Sequence, residues 1–404
     1  MNNISSVCKN QCLSCRSCEQ ICPKNAVIMK ENKEGFLQPN IDENICVDCG
    51  LCKNHCPIFV SVKKNNYKQE AFASFLKDFE KSKKSTSGGI FTALAEYFIY
   101  NNGIVFGAAY DENLRVHHIG VENITDLEKI KGSKYVSSDT EYTFNEVRKL
   151  LINNKKVLYS GTPCQIAGLN AFLRKEYENL LTVDLFCHGT PSYKFFRKYL
   201  DWKELKLRSK IKYYGFRDKD VCGWTCCGNA RITTEKKDFI FKGYSDPYYA
   251  SFFRGESFGT KCYSCNFSTN ERCGDISLGD FWGVGKIFRN LNSIQGVSAV
   301  LINSEKGKKI FQQINEKLNV YEVSPESIAK ENGAISGGAK LSACNNAIYE
   351  DIDNPDLNRY FSNFKETHFL NKIKFGIRRI ISFLLPSFIK KLLVNLYVKF
   401  RSAK

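Results

Sequence analysis

Two runs of four cysteines with identical spacing constrain this chain more than any other feature. The second run repeats the first 34 residues later, and a proline follows each run. A loop with three cysteines at this spacing supplies three thiolates to one four-iron, four-sulfur cluster, and the fourth cysteine, before proline, ligates the other cluster. We therefore predict two [4Fe–4S] clusters. Their ligand sets are Cys12, Cys15, Cys18 and Cys56 for one, and Cys46, Cys49, Cys52 and Cys22 for the other.

The use of cysteine indicates a reducing compartment. The chain has 18 cysteines, and half of them lie in the first 56 residues, in closely spaced groups typical of metal sites. The N-terminal residues lack the pattern of a secretory signal, and no apolar run approaches the roughly 20 residues of a membrane span. We expect a cytoplasmic protein. Structural zinc is the alternative to clusters, but a zinc site leaves the third cysteine and the Cys-Pro of each run unexplained. Cys8 lies outside the repeated pattern.

Composition changes along the chain predict several domains. We assign residues 1–62 to a bacterial-type two-cluster ferredoxin domain, with short strands and a turn around Gly35 between the cysteine runs. From residue 70, buried-looking strands alternate with helical patterns, which is typical of an α/β domain with a largely parallel core sheet. We place its two parts at 70–150 and 151–335, with an antiparallel region near 205–245. The predicted fold class is α+β.

The C-terminal residues form a basic tail. The net charge is +17, and residues 367–404 contain nine Lys or Arg and no acidic residue. Apolar residues at helical spacing predict an amphipathic helix within the assigned tail, 366–404. Peripheral contact with an anionic membrane is one interpretation, and packing on the protein's own body is the other. The sequence shows no nucleic-acid-binding signature, and we predict no such partner.

Four further cysteines are candidates for a third metal site. In SGTPCQIAGL, Thr162 can cap a helix whose first turn contains Cys164, and Cys187 follows another buried-looking strand. Ligands gather at the carboxyl ends of parallel strands, so these two cysteines can face one crevice. Cys262 and Cys265 form an additional Cys-x2-Cys pair. Spacing alone leaves two interpretations open: a third four-iron cluster, or two buried cysteines and an unrelated pair.

Two weaker signals concern phosphate binding and proton transfer. Ser87, Gly88 and Gly89 open a predicted helix, whose free N–H groups can bind a phosphate, although most such turns only cap the helix. His188 follows Cys187 and is a weak candidate for proton transfer. The alternative for His188 is an ordinary hydrogen-bonded histidine.

Six stretches in order resemble one family, the beta subunits of coenzyme F420 hydrogenases and dehydrogenases, including bacterial relatives with a fused two-cluster ferredoxin. They lie between about residue 84 and residue 283: KSTSGGIFTALAEYF, SGTPCQIAGL, DLFCHGTPS, FRDKDVCGW, DPYYASFFRG and CYSCNFSTNERCGDISLGDFWG. The resemblance implies a flavoprotein that binds FAD beside a four-iron cluster and exchanges electrons with a hydride-accepting substrate.

Under this resemblance, the third cluster takes Cys164, Cys187, Cys262 and Cys265, while Cys273 stays outside the set. The Ser87–Gly89 turn becomes a flavin-phosphate contact, and we add Thr162 to the candidate cofactor contacts. The expected function is an oxidoreductase that passes electrons from ferredoxin or a redox subunit, through clusters and flavin, to or from an unidentified organic substrate or F420-like cofactor. The alternative is an electron-transfer subunit whose substrate site lies on a partner protein.

Overall fold

The computed structural model describes residues 2–7, 11–60, 67–220, 223–224, 228–288, 291, 295–341 and 344–362. Residues 1–353 form one compact unit and residues 354–404 form a second. The predicted basic tail, 366–404, and Cys8 lie outside the described residues. In the part of the chain that is described, no helix combines the length and the apolar character needed to cross a membrane.

Strands and helices alternate over most of the chain after residue 69. The strands of the described residues are β1 (Val27–Glu31), β2 (Leu37–Ile41), β3 (Glu70–Leu76), β4 (Ile104–Tyr110), β5 (Val116–Val121), β6 (Val157–Gly161), β7 (Leu180–Leu185), β8 (Ile211–Asp218), β9 (Asn229–Thr234), β10 (Asp238–Lys242), β11 (Ile276–Asp280), β12 (Ser298–Ile302) and β13 (Leu318–Val323). The α-helices are α1 (Ser17–Gln20), α2 (Leu51–Asn54), α3 (Phe79–Lys83), α4 (Ile90–Tyr100), α5 (Ile124–Ile130), α6 (Thr143–Ile152), α7 (Pro163–Leu173), α8 (Tyr193–Leu207), α9 (Pro247–Phe253), α10 (Thr260–Tyr263), α11 (Val284–Ile287), α12 (Glu305–Ile314), α13 (Pro325–Glu331), α14 (Cys344–Glu350) and α15 (Leu357–Ser362).

The N-terminal segment has the predicted hairpin between its two cysteine runs. Strands β1 and β2 pair antiparallel, and the turn between them contains Gly35 at φ 85°. Helix α1 lies within the first cysteine run and α2 within the second. Ile4, Val27 and Met29 are buried together with cysteines of both runs. The predicted strands and turn are therefore confirmed.

The larger part of the first unit is built around an eight-stranded sheet. Its strand order is β13-β3-β12-β11-β7-β6-β4-β5. Strands β11, β7, β6 and β4 run parallel, whereas the strands on either side of them pair antiparallel. Strands β6 and β12 are buried at every position, as central strands covered on both faces should be. Among the described residues, four of the seven pairings of this sheet are antiparallel, so the sheet is mixed and only its centre is parallel, whereas the sequence predicts a largely parallel sheet.

Strands β8, β9 and β10 form a separate antiparallel sheet in the order β10-β9-β8, as the sequence predicts for this region. Its pairing shifts register between Gly215 and Asp218. At this bulge Arg217 takes the left-handed conformation, with φ at 60°. A bulge redirects the side chains of its strand, and this bulge sets the direction of the Arg217 side chain.

Candidate functional site

The first predicted ligand set is brought together in the structure. Burial raises the pKa of the Cys18 thiol, and the other three thiols of the set raise it further because each would carry a like charge. Burial and two of the same neighbours raise the pKa of Cys15, and burial and Cys12 raise that of Cys56. These interactions connect every pair of the four thiols. Cys56, from the second run, thus lies among three cysteines of the first.

The four cysteines of the second predicted set line one recess. It encloses about 360 Å³ of empty space, open mouth included, and its walls include Cys22, Cys46, Cys49 and Cys52. The backbone N–H of Ala26 donates to the Cys22 sulfur at 3.3 Å, and the Asn3 amide lies 3.9 Å from the Cys46 sulfur. Cys22 therefore stands with three cysteines of the other run.

The cysteines of these sets are free thiols. Among the described residues, no three His, Cys, Asp or Glu side chains are close enough together to hold a single metal ion. A zinc ion draws its sulfurs to about 2.3 Å from one point, whereas a four-iron cluster holds each thiolate on a different iron. A zinc site and a four-iron cluster are therefore distinguished by the arrangement of their cysteine ligands.

The third set assembles at the carboxyl ends of two adjacent parallel strands. Strand β6 ends at Gly161 and leads into α7, whose first turn contains Cys164, while β7 ends two residues before Cys187. Thr162 precedes α7, and its backbone N–H donates to the Gln165 side chain at 3.0 Å, which completes the predicted cap. The Thr162 hydroxyl lies 3.2 Å from the Cys164 sulfur. The local geometry predicted for this loop is thus present.

Helix α10 and the turn after it bring the second pair of cysteines to the same place. Burial raises the pKa of Cys187 well above its usual value, and the other three thiols of the set raise it further. Burial also raises the pKa of Cys265 to about 11, and both Cys164 and Cys262 add to this. Cys164 likewise raises the pKa of Cys262. All six pairs within the set of Cys164, Cys187, Cys262 and Cys265 therefore interact.

Cys273 lies at the border of this third set. Burial raises its pKa to about 12, and Asp184 is the largest electrostatic contributor. Asp184 itself forms a fully buried ion pair with Arg272 at 2.6 Å. Cys164 and Cys265 also act on Cys273, more weakly than the ion pair does. Its exclusion from the third ligand set stays a prediction.

The Ser87–Gly89 turn precedes α4, as predicted, and its polar groups are bonded within the protein. The Ser87 hydroxyl donates to the Val297 carbonyl at 3.0 Å, and the Gly88 N–H donates to the Ser298 hydroxyl at 2.9 Å. A β-carbon on Gly88 would lie only 2.4 Å from the Ser74 carbonyl oxygen, so glycine allows this close approach. Flavin-phosphate contact by this turn and by Thr162 stays a prediction.

A buried lysine, Lys219, holds the same turn from the other side. Its ammonium donates to the carbonyls of Ser82 at 3.0 Å, Ser87 at 2.7 Å and Gln295 at 2.5 Å. Burial lowers the pKa of Lys219 to about 7. The three carbonyls use all the donors of the ammonium, so Lys219 fixes the backbone of the predicted phosphate contact.

A polar and aromatic cluster lies at the carboxyl end of β11. Arg217 donates to Asp280 at 2.7 Å, and the Trp224 indole donates to the other carboxylate oxygen at 2.7 Å. The rings of Trp224 and Trp282 stack at 4.8 Å. The His188 side chain reaches solvent, yet the protein atoms packed around the ring lower its pKa, with Asp280 and Arg217 acting in opposite directions. The weak candidate His188 thus adjoins this cluster, but its role stays a prediction.

Two family models match the chain. Residues 11–60 match the 4Fe-4S dicluster domain, and residues 154–327 match the family described as the C terminus of the coenzyme F420 hydrogenase/dehydrogenase beta subunit. Over the second range, the chain matches the F420 hydrogenase/dehydrogenase beta-subunit family, the family that its sequence resembles. The chain is thus an iron–sulfur protein of an oxidoreductase family, which decides against zinc for the N-terminal segment.

Other comparisons add little to this assignment. A chain from a structure titled "Xenon derivatization of the F420-reducing [NiFe] hydrogenase complex from Methanosarcina barkeri" is 16% identical, with 76% of this chain and 93% of that chain covered and a TM-score of 0.42. No curated protein matches.

Sequence reasoning did not single out Arg217 or Lys219. Both lie in FRDKDVCGW, a stretch that contributed to the resemblance but was assigned no role. Asp280 and Trp282 lie in another such stretch, which ends in GDFWG. The alternation of charges in FRDKD next to a tryptophan was the available signal for a buried polar cluster.

Proposed function

We propose that this chain is an iron–sulfur flavoprotein oxidoreductase. It holds two [4Fe–4S] clusters on the eight N-terminal cysteines, a third on Cys164, Cys187, Cys262 and Cys265, and one FAD. The observation that carries the proposal is the third set: four thiols, each interacting with the other three, at the carboxyl ends of parallel strands, where α/β sheets bind their ligands.

Clusters exchange single electrons, and a flavin converts these into the electron pairs that organic reductions need. The residues of this chain hold, orient and shield the groups. Lys219 fixes the backbone of the Ser87–Gly89 turn, which we assign to the phosphates of FAD. We assign the Arg217–Asp280 pair and the neighbouring His188 to the organic substrate or F420-like cofactor. Ferredoxin or a redox subunit serves as the electron partner.

Counting irons in matched cysteine variants tests the proposal. Protein purified without oxygen is expected to contain about twelve irons and one FAD per chain. Cys187→Ser removes a ligand of the third set and should reduce iron to about eight per chain. Cys273→Ser is the control, because it changes a buried cysteine beside the set without removing a ligand. A wild-type content of about eight irons without flavin would contradict the proposal.

The second candidate function is an electron-transfer subunit whose substrate site lies on a partner. The beta-subunit family description favours it, since a subunit acts within an assembly. Reduction of an organic substrate or of F420 by the isolated chain, with dithionite-reduced ferredoxin as donor, separates the two. Turnover without any partner supports the complete enzyme, and turnover that requires an added subunit supports the alternative.

A further inference from the structure

Helix α7 touches the N-terminal cysteine loop at Gly168. Cys164 and Gly168 are four residues apart, so they lie on the same face of the helix. A β-carbon on Gly168 would lie 2.8 Å from the Cys15 β-carbon and 3.0 Å from the Cys15 sulfur. Any side chain at 168 would push Cys15 away. The absence of a side chain lets the two predicted ligand sets approach each other here.

Independent contacts fix Cys15 at this position. The Thr140 hydroxyl donates to the Cys15 carbonyl at 3.0 Å, and both groups are buried. On the next residue, Arg16 binds Asp139 of the larger sheet region through two hydrogen bonds of 2.5 and 2.8 Å. The loop that carries Cys15 is therefore held to the body of the protein, with its sulfur toward α7.

The second N-terminal set differs in its exposure. Cys49 is exposed, whereas Cys15 and Cys18 are buried. The recess formed by that set is lined by residues of the N-terminal segment. A redox partner therefore reaches the second set more readily, and the first set lies on the path inward.

Building on the proposed function, we propose that electrons cross between the N-terminal domain and the Cys164 centre at the Cys15–Gly168 contact, and that Gly168 is a positioning residue that keeps the two centres close. One electron leaves the centre that Cys15 ligates, which is oxidised, and one electron enters the centre that Cys164 ligates, which is reduced. No bond forms or breaks. The electron originates from the external reductant, reduced ferredoxin or dithionite.

Gly168→Ala tests this proposal by adding one methyl group at the contact. Gly120→Ala is the matched control, since its β-carbon would meet the Phe106 ring at 3.0 Å, on strand β5. The measurements are iron content, the magnetic interaction between reduced centres in electron paramagnetic resonance, and the rate of third-centre reduction by freeze-quench. Gly168→Ala should retain about twelve irons, weaken the interaction and slow the reduction severalfold, while Gly120→Ala should match the wild type.

Thr140→Val provides a second variant that adds no bulk. It removes the hydrogen bond to the Cys15 carbonyl and should weaken the same magnetic interaction. Unchanged interaction and unchanged rate in both variants, with about twelve irons present, would overturn the inference and leave the proposed function intact. A wild-type protein with about eight irons has no third centre and would overturn both.

Discussion

Lys261 places a single cation between two predicted ligand sets. Its ammonium donates to the Ser14 hydroxyl at 2.8 Å, next to the first set, and it precedes Cys262 of the third. Burial raises the pKa of Cys12 and of Cys262, and Lys261 is the largest electrostatic influence that opposes this. The same cation favours the more negative, reduced state of a centre bound to either thiolate.

Lys261→Met should therefore lower the reduction potentials of both adjacent centres. A redox titration followed by electron paramagnetic resonance measures this, and the second N-terminal set provides an internal reference. Lys212→Met is the control, because Lys212 forms an exposed ion pair with Glu235 at the three-stranded sheet. Equal potentials in Lys261→Met and wild type would contradict the prediction.

The cysteine ligand sets and Lys261 differ in how far sequence could reveal them. The N-terminal ligands were predicted from local spacing, since three of each four thiolates come from one short loop. The Lys261–Ser14 bond joins residues 247 positions apart. No local pattern encodes such a contact, so it became visible only in the folded chain.

A buried histidine, His118, connects strands β5 and β6. His118 in β5 hydrogen-bonds to the Ser160 carbonyl in β6 at 3.0 Å and to the Ser138 hydroxyl at 2.8 Å. Since a carbonyl only accepts, the ring nitrogen facing Ser160 carries the proton, and the other nitrogen accepts from Ser138. Burial lowers the pKa of His118 to about 4. The folded protein thus holds this histidine neutral.

The free energy of unfolding should consequently decrease as the pH is lowered, because His118 is neutral only in the folded protein. Between pH 6.5 and pH 4 the unfolded chain binds a proton at His118 that the folded chain does not, so the folded state loses its advantage as the pH decreases. We expect His118 to account for about 2 kcal/mol of unfolding free energy lost between pH 7.5 and pH 5. Anaerobic urea denaturation of His118→Gln should show a smaller pH dependence.

His117→Gln serves as the control, because His117 neighbours His118 on the same strand and faces Glu141 near the surface. The two histidine variants should differ in the slope of stability against pH. Parallel slopes for His118→Gln and wild type would show that another group causes the loss at acid pH.

At the level of elements, the sequence predicted the strands and helices well where burial is continuous. Strands such as Val157–Gly161 and helix Ile90–Tyr100 follow directly from their apolar runs and boundary residues. The bulge before Asp218 could not be predicted, since it depends on pairing between β8 and β9. That bulge orients Arg217 toward Asp280, and therefore the polar cluster also remained hidden.

The N-terminal segment is attached to the larger sheet region by the Arg16–Asp139 pair. Burial tends to raise the pKa of Asp139, but the hydrogen bonds and charge of Arg16 more than offset this and lower it. Only 7% of the Asp139 side chain is exposed, so the carboxylate depends on this partner. Removing one member of a buried ion pair leaves the other charge unpaired and destabilises the protein. The Arg16–Asp139 pair therefore helps to hold the N-terminal segment on the larger sheet region.

Asp139→Asn should loosen the N-terminal segment without removing its clusters. We expect hydrogen exchange within residues 11–60 to accelerate about tenfold, which corresponds to about 1.4 kcal/mol. Glu31→Gln is the control, because Glu31 makes a partly exposed pair with Arg115 across the same junction. Equal exchange in both variants and the wild type would contradict the prediction.

The order of the ligands along the chain has a consequence for biosynthesis. The eight N-terminal cysteines end at Cys56, whereas the third set is completed only at Cys265, about 200 residues later. At translation rates of about 5–20 residues per second, the ribosome needs roughly 10–40 seconds to make that stretch. The two N-terminal sets are thus synthesised well before the third set is complete, and we predict that iron enters them first.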